Sequence, residues 1–171
     1  MWRHHQQQRD SFRQQELSQP RKRHRYLPGD HREAGQRVCQ LRLDMQEFFL
    51  SEPDDMGLCT TDSFMVRTTV GERLPILCGE NKGQHLYVDM GRGSGNPVVL
   101  SVVSNGDKMS RRWKIKNFYD RVWQSQYGPA GCLQYFRNPS DVVRSFNYGP
   151  RAENQVRYLS NLRYTSCVRV E

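Results

Sequence analysis

The residues best suited to chemistry in this chain are five cysteines, Cys39, Cys59, Cys78, Cys132 and Cys167, and one histidine outside the N-terminal stretch, His85. Thiols and an imidazole can make a nucleophile–base pair, a zinc site or disulfides. A Ser or Cys nucleophile needs its base beside it in a cleft, and nothing in the spacing brings Cys59, Cys78 or a serine next to His85. Cys59, Cys78 and His85 also lack the paired short spacings of structural zinc sites. His85 therefore reads as a packing or surface residue and the chain as non-enzymatic. The cysteines flank strand-like runs, which suggests a disulfide clipping neighbouring strands. An odd count leaves at least one outside any intrachain bond. Disulfides require an oxidising compartment, yet the start, Met1-Trp-Arg-His-His, has no apolar segment of a signal peptide behind it. Two readings follow: reduced thiols, or an N-terminus that is not the natural one.

The elements that must position these residues are short strands. Leu41, Leu43 and Met45 alternate with Gln40, Arg42 and Asp44, and Phe64 and Val66 repeat the pattern after Cys59. Strand-like runs recur at residues 39–50, 63–69, 75–78, 85–90, 97–103 and 112–116. Between them lie Gly- and Pro-containing turn compositions at residues 52–57, 71–72, 79–83 and 91–97. Short strands with turns every eight to twelve residues or so, and no helical period, favour an antiparallel sandwich or barrel. Gly91-Arg-Gly-Ser-Gly95 has the glycines of a phosphate loop, but a strand and not a helix follows it, so it reads as a hairpin loop. Two later runs, at residues 132–136 and 162–170, are too short a remainder for an independent core.

Charge is unevenly placed. Of the net charge of +8, residues 1–37 carry five units, from nine Lys/Arg against four Asp/Glu, with four of the five histidines and seven glutamines. No apolar period runs through them, so a disordered basic leader is expected. Arg21, Lys22, Arg23 and Arg25 form a basic patch that could bind phosphate, but aromatics for base stacking are nearly lacking there apart from Tyr26. A nucleic-acid-binding protein acting through this leader is thus one alternative. No stretch approaches the roughly 18 apolar residues of a membrane helix.

The run Leu43, Met45, Phe48, Leu50, Cys59, Asp62, Phe64, Val66, Cys78 and Gly79 resembles the core motif of the CUB domain, an extracellular β-sandwich interaction module. Met45 stands where the family has an aromatic. Trp113 and Ile115 match its last strand, and Ser104-Asn105 stands where the family has Ser-Asp. Several phrases, among them Gly83-Gln-His-Leu-Tyr-Val-Asp89 and Gly131-Cys-Leu-Gln-Tyr-Phe136, resemble arthropod secreted proteins that carry CUB domains in series. The resemblance implies an all-β antiparallel sandwich, a CUB/spermadhesin-like jelly roll. It implies a leader at 1–37, a CUB-like domain at 38–117, a linker at 118–130 and a truncated second CUB-like segment at 131–171.

The same resemblance implies a Cys59–Cys78 disulfide, which over a loop of about 19 residues would stabilise the fold by roughly 3 kcal/mol. The family's partner for Cys39 lies upstream and has no counterpart here. A cysteine normally precedes Cys132, and Cys167 would pair beyond Glu171, so all three are expected without partners in this chain. Many relatives bind Ca²⁺ through carboxylates that Asp62 and Asn105 match in position, with Asp107 two residues on; these are the candidate metal ligands. No other cofactor is implied. The expected function is that of an extracellular, non-enzymatic binding module for a protein or glycan. An ancillary CUB region of a secreted serine protease is the other family-based alternative.

Overall fold

The computed structural model describes residues 10–13, 22–27, 38–71, 74–91, 97–105, 110–121, 128–148 and 157–170, with the backbone alone for 10–13, 22–27, 38 and 119–121. These residues form an all-β fold without a helix among them. One sheet orders β1 (Asp10–Arg13), β7 (Arg112–Arg121), β3 (Val38–Phe49) and β5 (His85–Asp89) side by side; the other orders β2 (Lys22–Leu27), β6 (Val98–Ser104) and β4 (Asp62–Arg67). Every pairing within these two sheets is antiparallel.

The core lies between the sheets, and period-two alternation builds it. Leu41, Leu43 and Met45 of β3 point inward with Leu86 and Val88 of β5 and Trp113 and Ile115 of β7. Phe64 and Val66 of β4 and Val98, Leu100 and Val102 of β6 meet them from the other sheet. Phe48 and Phe64 touch edge to face across the interface, centroids 5.5 Å apart. In β3 the inward set changes from odd to even numbers, Met45 to Phe48, because the register with β7 shifts between Met45 and Glu47. A bulge there admits one extra residue and flips the alternation, which keeps both halves of a long strand facing the core.

Three expectations change. Asp10–Arg13 and Lys22–Leu27 fall in the expected disordered leader but pair with β7 and β6, since an otherwise exposed edge of each sheet offers unpaired backbone groups to an extended segment. Strand β7 continues through residues 118–121, expected as linker, because Phe118 and Tyr119 stay in register with Arg42 and Leu41. Residues 75–78 make only a single bridge, Leu77 to Phe64, and no strand. Residues 92–96 of the expected hairpin loop lie outside the described residues.

The chain then returns across the outside of β5. Strands β8 (Gln134–Phe136) and β9 (Ser166–Val168) pair in parallel, and the Tyr87 amide donates to the Leu133 carbonyl at 2.7 Å. Tyr87 points away from the main core but is buried beneath this return. Leu133 and Phe146, from the stretch expected as a second module, join the same apolar cluster as the sandwich strands.

Candidate functional site

The return leaves a cleft of about 520 Å³ along the start of β5. Its floor is Arg42 of β3 and His85 of β5; its walls are the turn at 80–84 and the segment 135–148. Side-chain amides fix the walls. Gln134 donates through Nε2 to Gln84 Oε1 at 2.8 Å, and Gln84 donates through its own Nε2 to the carbonyls of Arg144 and Ser145 at 3.2 Å each. The Tyr135 amide donates to His85 Nε2 at 3.1 Å, and the imidazole meets Tyr87 and Phe136 edge to face. With its lone pair so used, His85 is neutral. Burial, and secondarily the nearby Arg42 charge, lower its pKa below the ordinary histidine value. Arg42 donates to Asp44 at 2.7 Å and to the Tyr87 hydroxyl at 3.0 Å. Lys82 and Arg144 are exposed along the walls, with Arg137 half-buried between them.

Asn147 staples the outer wall to the sandwich. Its amide N–H donates to Asn81 Oδ1 at 2.7 Å, its Oδ1 accepts from the Glu80 amide at 2.9 Å, and its Nδ2 donates to the Arg157 carbonyl at 2.7 Å and to Glu52 at 3.2 Å. It adopts the left-handed region, φ 59°, which asparagine tolerates because its side chain bonds locally. The close approach also needs Gly79. Its φ is +72°, and a Cβ there would stand 2.1 Å from Asn147 Oδ1. Neither residue was singled out for this role by sequence pattern, since the contact spans a long loop; only the Cys78-Gly79 pair was visible.

A second polar cluster sits at Asp62, where β4 begins. The carboxylate is buried, and its Oδ2 accepts from the Ser51 amide and hydroxyl, both at 2.8 Å, and from Arg111 Nε at 2.7 Å. Burial alone would raise the Asp62 pKa, but the donors from Arg111 and Ser51 outweigh it and hold the carboxyl below the usual carboxylate range. Oδ1 is also buried and accepts no hydrogen bond among the described residues. Asn105, the second candidate calcium ligand, is exposed; its amide donates to the Thr61 carbonyl and its own carbonyl lies 3.5 Å from the Arg111 guanidinium. Asp107, the third, lies outside the described residues.

Calcium asks for six to eight oxygens, largely anionic. The described residues supply one buried carboxylate already bonded to a guanidinium, and no group of three His, Cys, Asp or Glu side chains among them converges. The described residues by themselves do not fit calcium: a second cation at Asp62 would face Arg111.

The disulfides close the picture. Cys59 bonds Cys78 across 19 residues, and Cys132 bonds Cys167 across 35. The second corrects the expectation that Cys167 pairs beyond Glu171. The parallel pairing of β8 with β9 sets Tyr135 opposite Cys167 and leaves the Cys132 and Cys167 Cα atoms 5.7 Å apart, a separation no local pattern encodes. Cys39, on β3, is buried and stands outside both bonds. Arg21 lies outside the described residues, as do the side chains of Lys22, Arg23 and Arg25.

A family model described as the animal CUB domain matches residues 129–171. No curated protein matches the chain significantly. The CUB-matched stretch holds Cys132, Cys167, β8, β9 and Asn147, and with them the whole outer wall of the cleft. No helix among the described residues is long and apolar enough to cross a membrane.

Proposed function

We propose that this chain is an extracellular, non-enzymatic binding module of the CUB type, and that the cleft beside His85 is its ligand surface. The observation that carries the reading is the cleft itself: a solvent-open trough whose walls are held in place by the Gln134–Gln84–Arg144 and Asn147 hydrogen bonds. Preorganised walls lower the ordering cost that binding would otherwise incur. Three further points support it. The two disulfides suit an oxidising, extracellular setting. The CUB match covers the outer wall. The histidine in the cleft already accepts a backbone hydrogen bond, which removes the lone pair a general base would use.

Binding of the fluorescently labelled full chain to fixed animal cells tests the reading. Saturable binding is expected, competed by unlabelled chain and lost in a Lys82→Glu/Arg144→Glu variant with unchanged far-UV circular dichroism. Binding that is non-saturable, or equal in the variant, would overturn it.

A further inference from the structure

We infer that the cleft takes a sulfated glycan. The inference rests on the proposed function and narrows the ligand to one chemical class.

Charge comes first. Arg42, Lys82, Arg137 and Arg144 line the cleft against two acids, Glu80 and Asp141; Arg42 is already paired with Asp44, and Lys82 and Arg144 are the exposed cations that face the solvent. Asp141 is already engaged, with Oδ1 accepting from the Val142 amide at 2.8 Å and Oδ2 from Asn138 at 3.4 Å. Arginine forks match the paired oxygens of a sulfate, and Lys82 adds a mobile point charge. His85 contributes no positive charge while its Nε2 accepts from Tyr135.

Polarity and aromatic lining narrow the choice. Ligand pockets are as a rule mostly apolar. This one is lined by charged and amide side chains, so an apolar ligand would bury nothing useful and strand their hydrogen bonds. Tyr135 and Tyr148 also line it, the latter 53% exposed, and aromatic side chains offer apolar surface to the C–H faces of a pyranose.

The remaining anionic candidate is an acidic peptide, and the sheet argues against it. An extended peptide gains most by adding a strand to a sheet edge. The edge beside the cleft belongs to β5, and residues 133–135 already occupy it through Tyr87 N–H to Leu133 O and Tyr135 N–H to His85. A glycan needs no such edge.

Titration of the full chain with a heparin hexasaccharide at about 0.15 M salt tests this. Saturable binding is expected, weakened about tenfold by Lys82→Gln/Arg144→Gln through two lost charge-assisted contacts. Glutamine at positions 22, 23 and 25 should leave the affinity within about twofold, since those residues lie on β2, in the other sheet from β5. Desulfated hexasaccharide and a poly-glutamate peptide should each bind at least about tenfold more weakly. Equal binding of the desulfated sugar, equal binding of poly-glutamate, or loss confined to the leader variant would each overturn the inference. Were cell binding still lost in the cleft variant while heparin failed to bind, the glycan assignment would fall and the binding module would stand.

Discussion

Arg111 and Arg144 are the same side chain in two settings. Arg111 is nearly buried and bonded to a carboxylate with no exposure of its own; Arg144 lies exposed on the wall of a cleft. Around Arg111 the donors converge: its Nε and the Ser51 amide and hydroxyl all meet the same oxygen of Asp62. Around Arg144 it is the backbone that is tied down, its carbonyl accepting from Gln84, while the side chain is left to solvent. The difference separates scaffold from surface. A charge met inside the protein contributes to stability and is lost to ligands, whereas a charge on a fixed backbone facing water contributes little to stability and is available for recognition.

Ways to break that comparison run from large to small effects. Arg111→Ala leaves Asp62 buried without its cation and should destabilise by about 3–5 kcal/mol in urea unfolding. The same experiment on the wild-type chain should give one urea midpoint with calcium or with a chelator; a rise with calcium would show that the chain takes the metal after all. Gly79→Ala forces a side chain into positive φ and into Asn147, and should cost about 3 kcal/mol or more from strain and lost hydrogen bonds. Heparin affinity should fall with it, because the outer wall of the cleft loses its staple.

Replacing Cys132 and Cys167 together by alanine releases a 35-residue loop and should cost roughly 3–4 kcal/mol by the chain-entropy estimate. Peptide mapping without reduction, which should recover both disulfides intact, checks the pairing directly.

Acidification should act in two windows. His85 is depressed in the fold, so below about pH 6.5 the unfolded chain takes up a proton that the folded chain refuses, and stability begins to fall. Asp62 is also depressed, so its contribution is present above about pH 4 and is lost as pH falls through the folded value. In a denaturation series across pH, Asp62→Asn should flatten the lower window and spare the upper. The smallest effect belongs to Arg144→Ala, which should change stability by no more than about 0.5 kcal/mol while still weakening heparin binding.

Much of the scaffold was legible in local pattern. Alternation in β3 and β4 marked Leu41, Leu43, Phe64 and Val66 as inward, and Gly57, Gly83 and Gly91 fall in turns outside the strands. The walls of the cleft were not legible. Gln84 reaches Arg144 and Ser145, and Asn147 reaches Glu80, across 60 to 67 residues of sequence, and amide side chains have no periodic signature. Arg111 was missed for the same reason: its partner lies 49 residues away. Asp62 was drawn as a candidate calcium ligand from its position along the chain, and position says nothing about whether a guanidinium already stands beside it.

The sequence by itself determined an all-β sandwich and most of its core, because strand periodicity is set by the backbone repeat and shows within a few residues. Tertiary structure alone decided that Cys132 meets Cys167, that residues 128–148 cover β5, and that Asp62 is answered by arginine. Those outcomes depend on which distant segments come to share a few cubic ångströms, and the free energy that selects among them belongs to the whole packed molecule.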